Sequence, residues 1–411
     1  MSRLSRVGGF LGLRRSILGI LCMVILVDMG ERMAERFLPV YLIALGGGAL
    51  SVGLLNGLDN LLSALYSFPG GYLAARIGVK RSLLLFNLVA VAGFLIVILV
   101  PSWQAVLIGA VLFISWSAIS LPASIGLIAQ VLPAHKRTMG VTMHSLVRRI
   151  PMALGPLLGG AFIGAWGEQA GVRYAFVAAA AMGLVAILLQ QFLIEEDKAP
   201  AGAAHFGLAA DRNPLRVLGG MGPALRSLLV ADILIRFCEQ IPYAFVVLWA
   251  MKVIAHPVTA LQFGVLTAIE MAAALLIYIP VAYLAERSAK KPFVLTTFVF
   301  FTLFPLVLLF CHSFAWLVVA FILRGLKEFG EPTRKALIAD LAPESKRALT
   351  FGAYYLARDS IVSLAAFGGA FLWQITPATN FLTAFGFGVL GTVWYALKGK
   401  DLPWQATEGT T

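Results

Sequence analysis

The feature that most constrains the fold is a series of long, continuously apolar stretches. A membrane-spanning helix needs about 20 mostly apolar residues, and stretches of that kind run from 17 to 45, from 51 to 77 and from 82 to 100, and recur as far as 379 to 397. We count twelve of them. They are much longer than the alternating strands of a membrane barrel, which have about 10 residues, and lipid admits only helices otherwise. The sequence therefore predicts an all-α membrane protein with 12 transmembrane helices, numbered here as spans 1 to 12.

The positions of the basic residues explain the formal net charge of +12. In a soluble protein such a charge suggests a nucleic-acid partner. Here most Lys and Arg fall in alternate connections, on one predicted side, whereas Arg173 and Lys252 fall on the other. The positive-inside rule then places both termini in the cytoplasm. We expect a multi-pass protein of a bacterial cytoplasmic (inner) membrane that binds no nucleic acid.

The two halves of the chain repeat each other. Residues 71–81 match residues 282–292, and residues 121–137 match residues 331–347. A polar segment rich in Gly and Pro separates the halves. We predict two pseudo-symmetric six-helix bundles, at residues 1–194 and 226–411, joined by a cytoplasmic linker at 195–225. Repeats of equal and even helix number are related by an axis along the membrane normal.

The loop at 71–81 carries a family resemblance. It reads GYLAARIGVKR, which resembles the G-x-L-x-D-R-x-G-R-R/K loop of the major facilitator superfamily, with Ala75 in place of the acid. The second-half copy keeps an acid, Glu286, beside Arg287. The resemblance extends over essentially the whole chain. It implies a transporter of two bundles whose cytoplasmic gate includes this loop.

Three shorter elements also resemble parts of that family. Residues 155–160 (GPLLGG) are similar to an element of exporting antiporters, and residues 332–340 to a PRDALIAD-like stretch in a bacterial subgroup. Arg32, Glu35, Arg36 and Phe37 are similar to the E-x-x-E-R-F element of proton-coupled peptide transporters, with Arg32 at the first Glu. The small residues of 155–160 permit close helix packing whatever the direction of transport.

Ionisable residues within the predicted spans mark the candidate site, because each costs at least about 2.5–3.5 kcal/mol in the hydrocarbon region. Asp28, Arg32 and Glu35 share one face of span 1, and the pattern recurs in span 7. We expect these faces to line a cavity, although salt bridges that merely hold helices together are the alternative. The candidate substrate and proton-coupling residues are Asp28, Arg32, Glu35, Arg36, Asp59, Asp232, Arg236, Glu239, Glu270, Arg324 and Glu328.

Within this set we predict that Asp59 pairs with Arg36 or Arg32 and that Glu270 pairs with Arg236. A carboxylate whose partner is withdrawn by helix motion changes its proton affinity, which couples a proton to transport. The candidate protonation sites are Glu35, Glu239, Asp59 and Glu270.

Span 10 carries a stripe of charges from Arg324 to Lys335 that span 4 lacks. The stripe either contacts a charged substrate or forms part of the cytoplasmic gate. For Arg324 and Glu328 both alternatives stay open. The predicted gate residues are Arg76, Arg148, Glu286, Arg287, Arg334, Asp340, Arg358 and Asp359.

The sequence contains no phosphate-binding loop, nucleophile elbow or metal-ligand run, and its three cysteines lie within apolar spans. We therefore expect no enzyme activity, no metal and no cofactor, with the proton gradient as the energy source. The predicted function is secondary active transport of a small polar, charged or zwitterionic solute by alternating access. The alternatives are a proton-antiporting exporter of drugs or metabolites, and a non-transporting membrane sensor or scaffold. The expected partners are the lipid bilayer and a small-molecule substrate, and we expect the protein to act as a monomer.

Overall fold

The computed structural model describes residues 15–114, 116, 120, 124, 127, 134–194, 214–285, 288–343 and 347–400. Within these ranges the chain is helical and contains no strand. The helices are α1 Arg15–Glu35, α2 Leu38–Ala44, α3 Ala49–Ile77, α4 Val79–Leu99, α5 Trp103–Phe113, α6 Ala134–Leu193, α7 Pro214–Gly219, α8 Pro223–Tyr243, α9 Val246–Leu248, α10 Ala260–Ala285, α11 Lys291–Leu309, α12 Phe314–Leu326, α13 Glu331–Leu341, α14 Arg347–Ile375 and α15 Pro377–Lys398. A single π-helical turn, Trp249–Val253, follows α9.

Helix α6 is a hairpin of two limbs that reverse direction at Gly167. Gly167 has φ 79° and ψ 175°, a conformation that glycine adopts without a Cβ clash. A Cβ placed on Gly171 would lie 2.6 Å from the Cα of Ile163, and the rings of Trp166 and Tyr174 have centroids 5.3 Å apart. A straight helix cannot bring these pairs together, so the limbs pack against each other on either side of the turn.

The apolar helices fit a membrane. Among the described residues, six helices are long and apolar enough to cross one, and a seventh span results if the bent pair Pro223–Tyr243 and Val246–Val253 counts as one. Large apolar side chains such as Leu276 and Leu397 are more than three-quarters exposed (77% and 76%), whereas acids such as Asp28 and Asp232 are 1% exposed. Apolar side chains cover the outside and charged side chains lie inside. This arrangement confirms the predicted helical membrane protein.

The described chain forms two compact units. Unit 1 contains residues 1–206, 244–253 and 257–268, and unit 2 contains residues 207–243, 254–256 and 269–411.

In unit 1, α1 packs closely on both limbs of α6. A Cβ on Gly30 would lie 2.9 Å from the Cα of Ala179, and one on Gly155 would lie 2.6 Å from the Cβ of Arg32. The turn of the α6 hairpin carries Glu168, which forms an ion pair with Lys252. Gly30 and Gly155 therefore set the distance between α1, which bears the charged stripe, and α6.

In unit 2, an apolar core joins α8, α11, α13, α14 and α15. Tyr395 packs edge-on against Phe298, with ring centroids 5.2 Å apart. Tyr354, from α14, belongs to the same core and is fully buried. This core holds the backbone from which the charged residues of the unit project.

Two adjacent glycines of α14 test the close packing of unit 2. A Cβ on Gly369 would collide with the carbonyl group of Ile241 in α8, whereas a Cβ on Gly368 would meet nothing within 4 Å. We expect Gly369→Ala to destabilise the protein by about 1–3 kcal/mol through overpacking. Gly368→Ala is the matched control and should raise stability by about 0.5–1 kcal/mol through helix propensity. Thermal unfolding of the two purified variants in detergent measures the difference, and equal midpoints would contradict the packing.

Candidate functional site

Asp232, in α8, is the centre of a buried cluster of charges in unit 2. Its Oδ2 forms an ion pair with Nη1 of Arg334, accepts a hydrogen bond from the hydroxyl of Tyr354 at 3.1 Å, and lies 3.3 Å from Nη1 of Arg358. Arg334 comes from α13, and both other donors come from α14. One carboxylate thus joins three helices.

Arg236 and Glu331 extend this cluster along α8 and α13. Glu331 receives Nη2 and Nε of Arg334, at 2.5 and 3.0 Å, and Nη2 of Arg236 at 3.2 Å. Arg236 also reaches Glu239, one turn along α8, at 2.5 Å. Arg236 therefore connects the Asp232 centre with the next acid.

Glu270, in α10, ends the chain of contacts, and here the structure corrects a predicted pair. Its Oε1 lies 3.3 Å from Nε of Arg324 and 3.9 Å from Nζ of Lys327, so the predicted pair with Arg236 is wrong. The reason is the close approach of α10 and α12, since a Cβ on Gly325 would lie 2.5 Å from the carbonyl oxygen of Glu270. The neighbouring residue Arg324 then reaches the acid first.

Two contacts complete the arrangement. Lys327 binds Glu239 at 2.6 Å, which connects Glu270 to Arg236. The guanidinium of Arg324 lies 5.2 Å from the ring centroid of Phe304 and 5.4 Å from that of Tyr243, where ring quadrupoles stabilise a cation. We call the continuous set the unit 2 network: Asp232, Arg236, Glu239, Glu270, Arg324, Lys327, Glu331, Arg334, Arg358 and Asp359.

The unit 2 network contains five acids and five bases, and the exposed Lys335 lies 3.8 Å from Glu331 as a further cation. Each buried charge would cost several kcal/mol without a partner, and here each has one. Nevertheless Arg236 and Lys327 keep 19% and 12% of their side-chain surface exposed. The network therefore combines buried pairs with cations that reach an accessible surface of the unit.

Unit 1 repeats part of this pattern. Arg148 of α6 lies 3.2 Å from Asp28 of α1, as its repeat partner Arg358 lies 3.3 Å from Asp232. Arg32 pairs with Glu35, as Arg236 pairs with Glu239. The two stripes predicted from sequence are thus paired in the same way within each unit.

Two further acids of unit 1 lie close to these pairs. Asp59, in α3, accepts a hydrogen bond from Ser63 and lies within electrostatic range of Arg32 and Arg36, the two partners predicted for it. Glu31 is buried beside them on α1, and Oε2 of Glu31 has no hydrogen-bond partner among the described residues. Sequence reasoning did not place Glu31 among the candidates.

The predicted gate residues are distributed between buried and exposed positions. Arg148, Arg334, Arg358 and Asp359 join the buried pairs described above. Asp340 forms an ion pair with Lys290 at a partly exposed position. Arg76 is exposed and lies 3.4 Å from the hydroxyl of Tyr72. Glu286 and Arg287 lie outside the described residues.

The structure also places the predicted residue Glu328 and three residues that were not among the candidates. Glu328 is half-buried in the turn between α12 and α13. Lys327 and Glu331 belong to the stripe noted on span 10 but were not named as candidates. Tyr354 was missed, and its spacing of four residues before Arg358 on one helical face is the signal that could have found it.

The glycines at 155–160 pack as their size suggests. Gly155 lies against Arg32 and Gly159 against the carbonyl of Met33, both in α1, whereas Gly160 faces the carbonyl of Ala260. They place the backbone of Arg32 directly on α6. The described residues contain no group of three or more His, Cys, Asp or Glu that could hold a metal ion.

Comparison with known families gives one match over most of the chain. The profile of the Major Facilitator Superfamily matches residues 20–257 and 228–410.

Individual relatives are more distant. The quinolone resistance protein NorA of Staphylococcus aureus is 27% identical over 179 residues, which is 43% of this chain and 44% of that protein. The chain thus matches less than half the length of that relative. An uncharacterised MFS-type transporter of Methanocaldococcus jannaschii is 21% identical over 368 residues, 86% of this chain and 87% of that one.

Solved structures share the fold at low sequence identity. The nucleoside transporter NupG has a TM-score of 0.75 at 13% identity, covering 93% of this chain and 100% of that chain. A POT family transporter in complex with 5-aminolevulinic acid has a TM-score of 0.73 at 12% identity, covering 92% and 95%. A bacterial homologue of the lysosomal transporter Spinster has a TM-score of 0.69 at 17% identity, covering 94% and 96%.

The Asp232 centre can be tested against a surface pair. We expect Asp232→Asn to lower the free energy of unfolding by about 3 kcal/mol, because Arg334 and Arg358 lose a buried anion; Glu331, which still binds Arg334, keeps the loss near the low end for a broken buried pair. Asp340→Asn, which breaks the more exposed pair with Lys290, should change it by less than about 1 kcal/mol. Chemical unfolding of both variants in detergent gives the comparison. Similar losses would show that the Asp232 centre does not stabilise the unit.

Proposed function

The chain belongs to the Major Facilitator Superfamily, and we propose that it is a proton-coupled secondary transporter that moves a small polar, charged or zwitterionic solute by alternating access. The family and the shared fold make it an integral, multi-pass membrane transporter and not an enzyme. The solute class and the coupling are inferred from the charged residues.

The observation that carries the proposal is a cation beside a carboxylate at an accessible surface in each unit. Arg32 and Glu35 in unit 1 keep 16% and 10% of their side-chain surface exposed, and Arg236 and Glu239 in unit 2 keep 19% and 9%. Ionised groups in a membrane protein face the bundle interior or a water-filled cavity, where they mark substrate and ion pathways. A solute that carries both signs finds a complementary group for each in such a pair.

Carboxylates that are shared between two cations support the coupling to protons. Glu239 binds both Arg236 and Lys327, and Glu331 binds both Arg236 and Arg334. A carboxylate shared between two cations loses part of its stabilisation when one helix moves, and a proton can then take the place of the cation. This mechanism needs no cofactor, and we propose the proton gradient as its energy source.

We propose the twelve-span topology that the sequence predicts. The twelve proposed spans are α1 with α2, α3, α4, α5 with the residues that follow it, the two limbs of α6, α8 with α9 and the π-helical turn, α10, α11, α12 with α13, α14 and α15. We propose cytoplasmic termini, a bacterial inner membrane, bundles at 1–194 and 226–411 joined by a linker at 195–225, and a monomer whose partners are the lipid bilayer and the solute and not nucleic acid.

A second candidate function is proton-antiporting export of drugs or metabolites. The packing of Gly155 and Gly159 on α1 and the 179-residue similarity to a quinolone resistance protein favour it. The two functions share a fold and differ in the direction and the chemistry of the solute. A non-transporting sensor with the same fold would give no flux.

Flux measurements distinguish these functions. The purified protein is reconstituted in liposomes with an imposed pH gradient and offered a dipeptide, a nucleoside, 5-aminolevulinic acid and a quinolone. We expect a zwitterionic or charged probe to accumulate, and a protonophore to abolish the accumulation. Accumulation of the quinolone alone, against the proton flow, would favour the exporter. Absence of flux for every probe would contradict transport of these solute classes, and flux insensitive to the protonophore would contradict proton coupling.

A charge variant tests the role of the unit 2 network in that flux. We expect Arg236→Gln to lower the rate for the transported probe by about tenfold or more, since it removes the cation that joins Asp232, Glu239 and Glu331 and loses about 1.4 kcal/mol or more of interaction. Lys252→Gln, which removes the basic residue of the partly exposed pair with Glu168, is the matched control and should retain the rate. Equal rates in the two variants would show that the network only supports the fold.

A further inference from the structure

Glu31 is a buried acid whose situation differs from that of its neighbours on α1. It is 2% exposed, and its Oε2 has no hydrogen-bond partner among the described residues, as is also true of Oδ1 of Asp28. Asp28 and Glu35, three residues before it and four after it, are paired with Arg148 and Arg32. An ionised carboxylate in such a place costs several kcal/mol unless a cation or a proton compensates it.

Of the four charged groups that interact most strongly with Glu31, three are acids, and Arg36 lies beside one of them, Asp59. The largest electrostatic interactions of Glu31 are with Arg32, Asp28, Glu35 and Asp59, and Arg32 is already paired with Glu35. The facing helix α6 supplies Arg148, which is paired with Asp28, together with Arg149 and the buried His144.

The chain between residue 82 in α4 and the start of α6, part of which lies outside the described residues, adds no cation. Residues 82–134 contain no Lys or Arg. Span 4 therefore has no basic side chain that could neutralise Glu31.

The second half of the chain shows that the fold does not need an acid at the position of Glu31. The repeat that aligns Asp28 with Asp232 and Glu35 with Glu239 aligns Glu31 with Ile235. Ile235 is fully buried in the apolar core of unit 2. The same helix position is thus filled by an aliphatic side chain in one unit and by a costly carboxyl group in the other, which points to a task beyond packing.

We propose that Glu31 is the carboxyl group that binds and releases the coupling proton, an inference that rests on the proposed proton-coupled transport. In the described conformation a proton from water is held on the carboxyl group, which is then neutral and needs no cation. Release of the proton to water on the other side regenerates the carboxylate. That carboxylate attracts Arg32, the adjacent guanidinium, away from Glu35, so that the charge state of Glu31 selects the partner of Arg32.

Infrared spectroscopy tests the proton without a solute. In purified wild-type protein titrated with acid and base, we expect a C=O stretching band of a protonated carboxylic acid that persists near neutral pH. Glu31→Gln should lose that band, and Glu31→Asp should show it at a shifted frequency. Glu168→Gln, which changes a partly exposed acid of the same unit, should leave it intact. A band that is unchanged in Glu31→Gln, or that is missing from the wild type, would overturn the proposal.

Flux measurements test the coupling. The probe is whichever of the dipeptide, nucleoside, 5-aminolevulinic acid or quinolone the wild type accumulates. We expect Glu31→Gln to exchange labelled for unlabelled probe across the membrane at a rate within about twofold of the wild type, and to lose its acceleration by a pH gradient. Glu168→Gln should keep both, and Glu31→Asp should regain part of the acceleration. A Glu31→Gln variant that keeps the full gradient response would overturn the proposal.

The two measurements distinguish failure of this proposal from failure of the proposed function. If the wild type shows no gradient-driven flux with any probe, the proposed function fails, whereas the infrared band still decides whether Glu31 holds a proton. If the wild type shows gradient-driven flux that Glu31→Gln retains, proton-coupled transport stands and the coupling proton lies on another carboxyl group.

Discussion

The structure depends on one constraint: an ionised group removed from water must find an opposite charge or become neutral. In unit 2 the constraint is met by pairing. Asp232 receives Arg334, Arg358 and Tyr354 from two other helices, so α8, α13 and α14 cannot separate without leaving a buried charge alone. Because loss of one partner of a buried pair costs more than the pair itself contributes, such a network favours one arrangement of its helices over intermediate ones. Any motion of these helices would have to replace one set of partners with another.

Much of this could be predicted from the sequence, because helical periodicity is local. The spacing of Asp28, Arg32 and Glu35, and of their repeats, placed these side chains on one face, and both i to i+3 pairs formed. The partners across helices could not be read in the same way. Glu270 takes Arg324 instead of Arg236 because Gly325 lets α12 approach α10, and that distance depends on backbone packing that no periodicity records. Likewise the sequence placed Arg334 among the gate residues by its helical position, but its burial against Asp232 depends on the approach of α13 to α8.

The repeat explains which contacts the two units share and which they do not. Arg148 and Arg358 occupy matching positions and bind matching acids at 3.2 and 3.3 Å, so this helix-to-helix pair belongs to the frame of both units. Arg334 has no such counterpart, since its repeat position is Ser124, a buried residue whose hydroxyl has no hydrogen-bond partner among the described residues. The second cation on the central acid is therefore an addition to unit 2 alone.

This difference bears on where protonation can act. In the unit 2 network every acid has a cation, and a proton arriving there must displace Arg or Lys from a short contact. In unit 1 the acid at Glu31 stands beside Asp28, Glu35 and Asp59, and the single cation adjacent to it in sequence, Arg32, is held by Glu35. A proton reduces the repulsion among these acids without breaking any pair that the described residues form. The physical cost of protonation in the described arrangement is therefore lower in unit 1, whereas an acid of the unit 2 network can take up a proton only when helix motion withdraws one of its cations.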